Sequence, residues 1–539
     1  MLRRIVNVVL FVALMGFINV QVSLAASEVI PEKVESKHWS CRELKDLAVK
    51  YEASRQVPEG EFVAKQDLAV SLLAVLDKIM EICTKKGPDE IPKEDLERIA
   101  RLYEALKADL SGYEGYLIRR EAIENILSRP DEAKPPFELA IGIGGFLRGE
   151  GVGNFRLTDF SYAPNHAEGR FLYRVKPFVY WHPIDWIDIH AEGQGYGFVG
   201  GEHQERNRYS LYQGYVDLKT PGRDWLSLKG GRQEFSYGSA FILGTNSFFD
   251  GLVFDAARLR VKPIEPLSLD LLLGAYAPPF NNGFLGNMAG AYATYSFDDA
   301  TSAELYVFRD SGSEDHHVGE HLMIWGGRGT AKFGSVSAEA ELVYESGELF
   351  NGINGTNDDI DAFGGHVDVT YDADLAGYSN KFFLSYAYGS GSQDSADGIQ
   401  SSREFRNPNN DTSLVGDMCV VGDLSGLTVG DHHASGMHIY TLGWGIDITK
   451  EVNFSATGRY FVADHVESGF KRDVGLETDF TVTYMASEDV SVLVGYDHFI
   501  TGRFFRDAAQ TEDDIMYGYA MLQFNLEKQW PRTKKLAGS

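Results

Sequence analysis

The chain changes period at Pro136. Beyond it apolar residues recur at every second position, first in Phe137-Glu138-Leu139-Ala140-Ile141-Gly142-Ile143, whose odd members are apolar. The same alternation returns in Leu269/Leu271/Leu273 against Ser268/Asp270, in Val336/Ala338/Ala340/Leu342 against Ser337/Glu339/Glu341, and in Leu476/Phe480/Val482 against Glu477/Asp479/Thr481. Eighteen strand-like segments are legible, starting near Phe137, Gly169, Trp186, Tyr209, Trp225, Asp250, Leu267, Ala289, Thr301, Leu322, Ser335, Asp361, Asn380, Met437, Glu451, Asp473, Asp489 and Ile515. Connections such as Pro183-Ile184-Asp185, Pro221-Gly222-Arg223, Pro263 to Pro266, Asp298-Asp299 and Ser487-Glu488 are short. Those near 149–168, 278–288, 347–360, 392–436 and 501–514 are long. Short turns at one end and long loops at the other, with an even strand count, are the pattern of an outer-membrane barrel. Hydrocarbon tolerates no unpaired backbone, so the sheet must close; a soluble sandwich seldom runs to so many strands. The expectation is a mainly β protein, an 18-stranded antiparallel transmembrane barrel over 137–528, behind a small α-helical periplasmic N-terminal module. A periplasmic tail, 529–539, follows.

The N-terminus supplies the route. Arg3 and Arg4, an apolar run from Ile5 to about Val20 and Ser23-Leu24-Ala25-Ala26 read as a signal peptide, 1–26. No later run reaches the length of a spanning helix. Export into a Gram-negative envelope places the three cysteines in an oxidising compartment, so Cys41 and Cys83 of the module are expected to form a disulfide, with Cys419 alone in a loop. A net charge of −28 excludes a nucleic-acid partner, which needs a basic surface.

The module, 28–90, reads as two helices around a turn: Leu44, Leu47 and Ala48 share a helical face, Val57 to Phe62 turns the chain, and a second helix runs from Leu68 to Ile79. With His38-Trp39 at its start and Pro58-Glu59-Gly60-Glu61-Phe62 in its turn, it resembles a surface-layer homology repeat. That resemblance implies a peptidoglycan-associated polymer as candidate partner, although Leu-Ala-Val-Ser-Leu at 68–72 stands where the family carries its polymer-holding motif. In 91–136 a stripe of Leu96, Ile99, Tyr103, Leu106, Leu110, Tyr113 and Leu117 could seam against a second chain or fold into an intramolecular hairpin. Pro130, Pro135 and Pro136 then form the linker.

Charge belongs on the inner wall, because Arg or Lys at mid-membrane on the lipid face costs about 2–4 kcal/mol. Parity turns Arg170, Arg174 and Lys176 inward from the second strand, Arg258, Arg260 and Lys262 from the sixth, and Arg328, Lys332 and Arg459 from later strands. Arg232 would point at lipid by straight alternation from Leu226 and Leu228. A bulge at Gly230-Gly231 is expected to turn it inward and send Phe235 and Tyr237 outward. The acidic lining is Asp188, Glu192, Asp217, Asp270, Glu304, Glu339, Glu341, Asp368, Asp447, Glu477, Asp479 and Asp497. This wall suits either a wide aqueous hole or a basic track for anionic or sugar-like solutes.

Gly231-Arg232-Gln233-Glu234-Phe235-Ser236-Tyr237-Gly238, Phe248-Phe249-Asp250-Gly251, Leu384 to Gly391 and Gly475 to Phe480 resemble strands of the alginate-export family of outer-membrane barrels. The resemblance implies an eighteen-stranded barrel whose arginine-rich lumen passes an anionic polysaccharide, and it carries over to Arg232 and more loosely to Arg258 and Arg260. No nucleophile with a base in reach appears, so an outer-membrane enzyme is a weaker alternative. A structural tether, with the barrel as an anchor, is another. Asp315-His316-His317 with His321, and Asp431-His432-His433 with His438, read as solvated loop histidines rather than a metal site. His190 and His366 read as polar wall residues. Asp358, Asp359 and Asp361 in the stretch from Asn351 are candidate loop-calcium ligands without EF-hand spacing. No cofactor is otherwise implied; bilayer lipid is the expected surrounding.

Overall fold

The structure, a computed structural model, describes parts of 33–106 and, within 137–531, all but 158, 201–207, 222–224, 246–250, 278–285, 299, 312–320, 352–355, 397–402, 408 and 413. The signal peptide, the linker from 107 to 136 and the tail beyond 531 lie outside the described residues. The chain divides into two units at 135/136.

In the first unit, α1 (Trp39–Lys50) and α2 (Lys65–Lys86) flank the expected turn, and Lys33–Glu35 pairs antiparallel with Phe62–Ala64. Leu44, Leu47 and Ala48 of α1 bury against Leu68, Leu72, Val75 and Ile79 of α2. Ile99, Tyr103 and Leu106 enter the same core. Their stripe is therefore spent inside the chain; its continuation, Leu110, Tyr113 and Leu117, lies outside the described residues. The His38 ring accepts the Ser40 N–H at 3.4 Å and caps α1. At the other end of α1, Asp95 takes the Lys50 ammonium at 2.6 Å and the Tyr51 hydroxyl. Cys41 carries a buried free thiol, and the side chain of Cys83, its expected partner, lies outside the described residues.

The second unit is a closed ring of eighteen antiparallel strands, from Phe137–Arg156 to Ile515–Pro531, each paired with its sequence neighbours and the last with the first. A further short strand, Gly426–Val429, folds back on the outer end of the fourteenth strand, His432–Asp447, while the thirteenth, Tyr378–Gly389, pairs directly with the fourteenth. All eighteen segments read from the alternation are present. The second differs most: it begins at Ser161 rather than near Gly169, because Phe155↔Tyr162 pairing carries that hairpin up into the expected loop. The Asn351 to Asp361 stretch, expected as a loop, is mostly ladder: Val336–Asn351 pairs with Thr356–Leu375, setting Glu348 opposite Asp359. On the strand Asp359 and Asp361, two positions apart, share one face instead of gathering in a loop.

The tight turns gather at one end, among them Phe333–Val336, Leu375–Tyr378 and Ser487–Val490. Ala376 and Gly377 have φ of 53° and 84°, the left-handed pair that closes a two-residue hairpin in step with strand twist. The outer face is inverted relative to a soluble protein. Leu305 is 70% exposed, Leu342 73% and Leu442 61%, while Glu345, Glu477 and Asp497 on the inner face are wholly buried. Trp181, Trp186, Trp225, Tyr295, Phe333, Tyr371 and Trp530 stand exposed near the turn end, where an interfacial girdle belongs.

Two connections turn into the barrel, the second of them within the long outer loop expected at 392–436. Residues 234–245 follow the fifth strand, Leu226–Gln233, and bury Phe235, Phe241 and Leu243; residues 403–431 bury Phe405, Met418, Val421 and Leu424. They clasp each other: the Asp411 N–H donates to Ala240 O at 3.0 Å and the Gly244 N–H to Asn409 O at 2.8 Å. The longer one is a strap. Its Asn409 amide donates to Tyr276 on the seventh strand (Leu267–Tyr276) at 2.8 Å, its Arg406 N–H to Glu345 on the eleventh (Val336–Asn351) at 2.9 Å, and its Asp417 N–H to Glu477 on the sixteenth (Asp473–Ser487) at 2.9 Å. Strands seven and sixteen face each other across a ring of eighteen, so the strap crosses the interior.

Candidate pore and its lining

Alternation along each strand sends one set of side chains inward, and the polar contacts identify that set. On the second strand, Ser161–Ile184, Arg170 pairs with Glu150 at 2.6 Å, and Arg148 reaches Glu150 at 2.8 Å and lies 3.7 Å over the Tyr519 ring. The Arg174 guanidinium sits over Phe146, and Lys176 meets Glu192 at 3.2 Å and the Tyr212 ring at 3.6 Å. On the sixth strand, Phe254–Ile264, Arg260 grips Asp270 through two bonds of 2.7 and 2.8 Å, and the Tyr237 hydroxyl donates to the same carboxylate. Lys262 continues this parity toward the turn end.

Lys229, which the sequence reading passed over, stands directly opposite Arg258 in the ladder and lies 4.1 Å from the Tyr215 ring. Neither Lys229 nor Arg258 has a carboxylate within ion-pair distance among the described residues. Arg258 and Arg260 line a polar cavity of about 200 Å³ with Glu234, Tyr237, Asp270 and Glu304.

Arg232 is a correction. The ladder runs through Gly230 and Gly231 without a register shift, so there is no bulge, and straight alternation holds. Arg232 lies on the outer face with Asp255, its ladder partner, through two bonds of 2.8 Å. A bidentate pair cancels the charge that a bulge was invoked to remove from the outer wall. Phe235 and Tyr237 accordingly turn inward, where Phe235 packs on Phe254 with ring centres 5.1 Å apart.

The acidic set lies inward, much of it neutralised. Asp188 takes Lys219 at 2.6 Å, Asp217 is buried, and Asp447 accepts from Asn453 near the turn end. Arg328 sits among Glu304, Glu339 and Glu341, at 2.7, 2.5 and 3.9 Å. Arg459 pairs with Asp479 and lies 3.9 Å from Glu477; Asp497 is buried opposite Asp479. His366 binds Asp368 at 2.8 Å. Lys332 shares the parity of Arg328 at the turn end. The second histidine group does not converge: His432 faces Glu467, His433 faces Glu404 and His438 faces Asp464. Of the first, 312–320 lies outside the described residues. The wall is thus basic on strands two, five and six and acidic on strands nine, eleven and twelve, with Arg328 and Lys332 of strand ten between them. The neglected Arg148 and Glu150 could have been found from Ile141, Ile143 and Leu147, whose odd parity forces the even positions inward.

A closed ring with an apolar outer belt, a charged interior and inward-turned connections is a porin-type channel of the outer membrane. Residues 166–414 match the family model described as alginate export, so over that stretch the chain is similar to a transport family. Among solved structures it is similar to OccAB1 of Acinetobacter baumannii, at 11% identity and a TM-score of 0.50, over 74% of this chain and 99% of that one. It is also similar to OpdL of Pseudomonas aeruginosa, at 12% identity and a TM-score of 0.48, over 72% and 98%. At such identity the likeness to the former shows the fold alone. No curated protein matches the chain.

Proposed function

We propose that the channel passes anionic and hydroxyl-rich solutes, sugars and sugar acids among them, along the basic wall formed by Arg170, Arg174, Lys176, Lys229, Arg258 and Arg260. The observation that carries this reading is the Lys229–Arg258 pair. Two like charges directly opposite in a ladder repel, and although Asp217 stands opposite Lys229 on its other side, neither cation has a carboxylate within ion-pair distance among the described residues. A carboxylate or phosphate arriving in the lumen supplies what the wall withholds, and low-dielectric walls focus the field it feels. The Tyr215 and Tyr237 rings border the same stretch of wall. In this reading the N-terminal module and the C-terminal tail lie in the periplasm, and the module faces cell-wall polymer.

Reversal potentials in planar bilayers test the proposal. Wild type should prefer anions, and Arg174→Ser with Arg258→Ser should lower the anion-to-cation permeability ratio and weaken block by soluble anionic oligosaccharides. An unchanged ratio in the folded double variant would remove the solute class and leave a generic aqueous pore. The strap across the lumen favours one second reading, an envelope tether with a filled barrel. Absence of any conductance would select it.

A further inference from the structure

On the acidic side of the lumen, three side chains on adjacent strands turn toward one another. Glu339 comes from the eleventh strand, His366 and Asp368 from the twelfth (Thr356–Leu375); each offers a donor atom, and these atoms lie within 4.8 Å of one another. The ladder sets Glu339 directly opposite Asp368 and Glu341 opposite His366, so the grouping is fixed by register rather than by a mobile loop. Each carboxylate spends one oxygen on a neighbour: Glu339 Oε2 on Arg328 at 2.5 Å, Asp368 Oδ2 on the His366 ring at 2.8 Å. The other oxygen of each, Glu339 Oε1 and Asp368 Oδ1, is buried and accepts no hydrogen bond among the described residues. A carboxylate oxygen withdrawn from water without a donor is costly, and the surroundings deepen the deficit. Glu304, Glu339 and Glu341 face the single guanidinium of Arg328, and Asp368 faces His366.

We propose that Glu339, His366 and Asp368 form a binding site for a divalent transition-metal ion of the Zn²⁺, Co²⁺ or Ni²⁺ type. One imidazole with two carboxylates suits these ions, and so does the spacing. Bonds of about 2.1 Å hold tetrahedral donors roughly 3.4 Å apart. His366 Nε2 lies 3.8 Å from Glu339 Oε1, so the set closes on an ion by side-chain rotation alone. Ser239 Oγ, 3.2 Å from His366 Nε2, and Phe241, its ring 4.8 Å from the imidazole, come from the inward-turned segment 234–245. The ion therefore sits where the wall meets that segment. Its charge offsets the acidic wall and makes the lumen more favourable to anions.

The test uses the full-length protein in detergent with Co²⁺ as probe and Zn²⁺ as competitor. Wild type should take up one equivalent of Co²⁺ with a d–d absorption band that Zn²⁺ abolishes. His366→Ala and Glu339→Gln should each weaken binding about tenfold or more. The chain has fourteen histidines, so His432→Ala/His433→Ala serves as the control and should bind as wild type does. In bilayers, Zn²⁺ should raise the anion-to-cation permeability ratio of wild type and leave that of His366→Ala unmoved. Equal uptake by His366→Ala and wild type, or no stoichiometric uptake by folded wild type, would overturn the site. If His366→Ala does not fold, Asp368→Asn, which keeps the shape, decides by the same titration. Neither arm depends on which solute crosses.

Discussion

Phe405→Ala should unfasten the strap and widen the channel. The Phe405 ring is wholly buried, stacks on Phe241 with centres 5.9 Å apart and planes 18° apart, and presses on the wall at Gly364, where a Cβ would come within 2.4 Å of it. Truncating a buried phenylalanine costs about 3–5 kcal/mol. At a tenfold change for every 1.4 kcal/mol or so, the undocked fraction of the strap should rise by roughly a hundredfold to a few thousandfold. The cost falls on the strap, since the lipid face and the ladder are untouched. Gly364→Ala approaches the same anchor from the other side, because its new methyl must displace the ring. Single-channel recordings in planar bilayers should show a larger unitary conductance and noisier open states for both variants. If both fold, by circular dichroism, and both conduct as wild type does, the strap is not what narrows the lumen.

Labels at Gly352 or Gly398 should be reachable from outside intact cells and a label at Gly222 should not; all three lie outside the described residues, and surface labelling at Gly222 would invert the barrel. Cys41 and Cys83 should be joined after export, and alkylation of both thiols under non-reducing, denaturing conditions would refute the pairing. In the module, burial alone would raise the Asp95 carboxyl, but Lys50 and Tyr51 outweigh it and hold the group below its ordinary value. That stabilisation is present above the unfolded carboxyl's range near about pH 4 and is lost as pH falls through the folded value. Protection factors of the α1 amides in the full chain, corrected for the intrinsic rate at each pH, should therefore fall on acidification, and Asp95→Asn should flatten the response; a wild-type response in the variant would assign it elsewhere.

The ladder was readable because a barrel strand has only two faces, and one of them meets oil. Leu269, Leu271 and Leu273 declare their side, and Asp270 is left the other. What the period cannot report is a connection's direction. Phe241, Leu243, Phe405 and Val421 lie in segments without a repeat, and an apolar residue there reads the same whether its loop turns outward or into the lumen. Their density was the available signal, with Val420 and Val421 adjacent in a stretch otherwise taken as solvated. Arg232 failed for a different reason. Parity was correct, and the bulge was added to spare a buried charge, whereas the chain supplies Asp255 from the next strand. A pairing between strands is invisible to a rule applied to one strand; Lys229, by contrast, follows inward from Leu226 and Leu228 by parity alone. The grouping of Glu339, His366 and Asp368 exists only through register.

The seam between the first and last strands sets the order in which the molecule can be built. Arg148 donates to the Tyr517 hydroxyl, which donates to Glu150, and the first of these contacts joins residues 369 positions apart. Every other ladder forms between sequence neighbours and closes over no more than the connection between them; this one requires nearly the whole barrel to be in place. Until Ile515–Pro531 arrives, the sheet carries two open edges, each a row of unmatched amide groups inviting another chain. The growing protein is thus at its most aggregation-prone when it is almost complete, and its final strand is the one it can least do without.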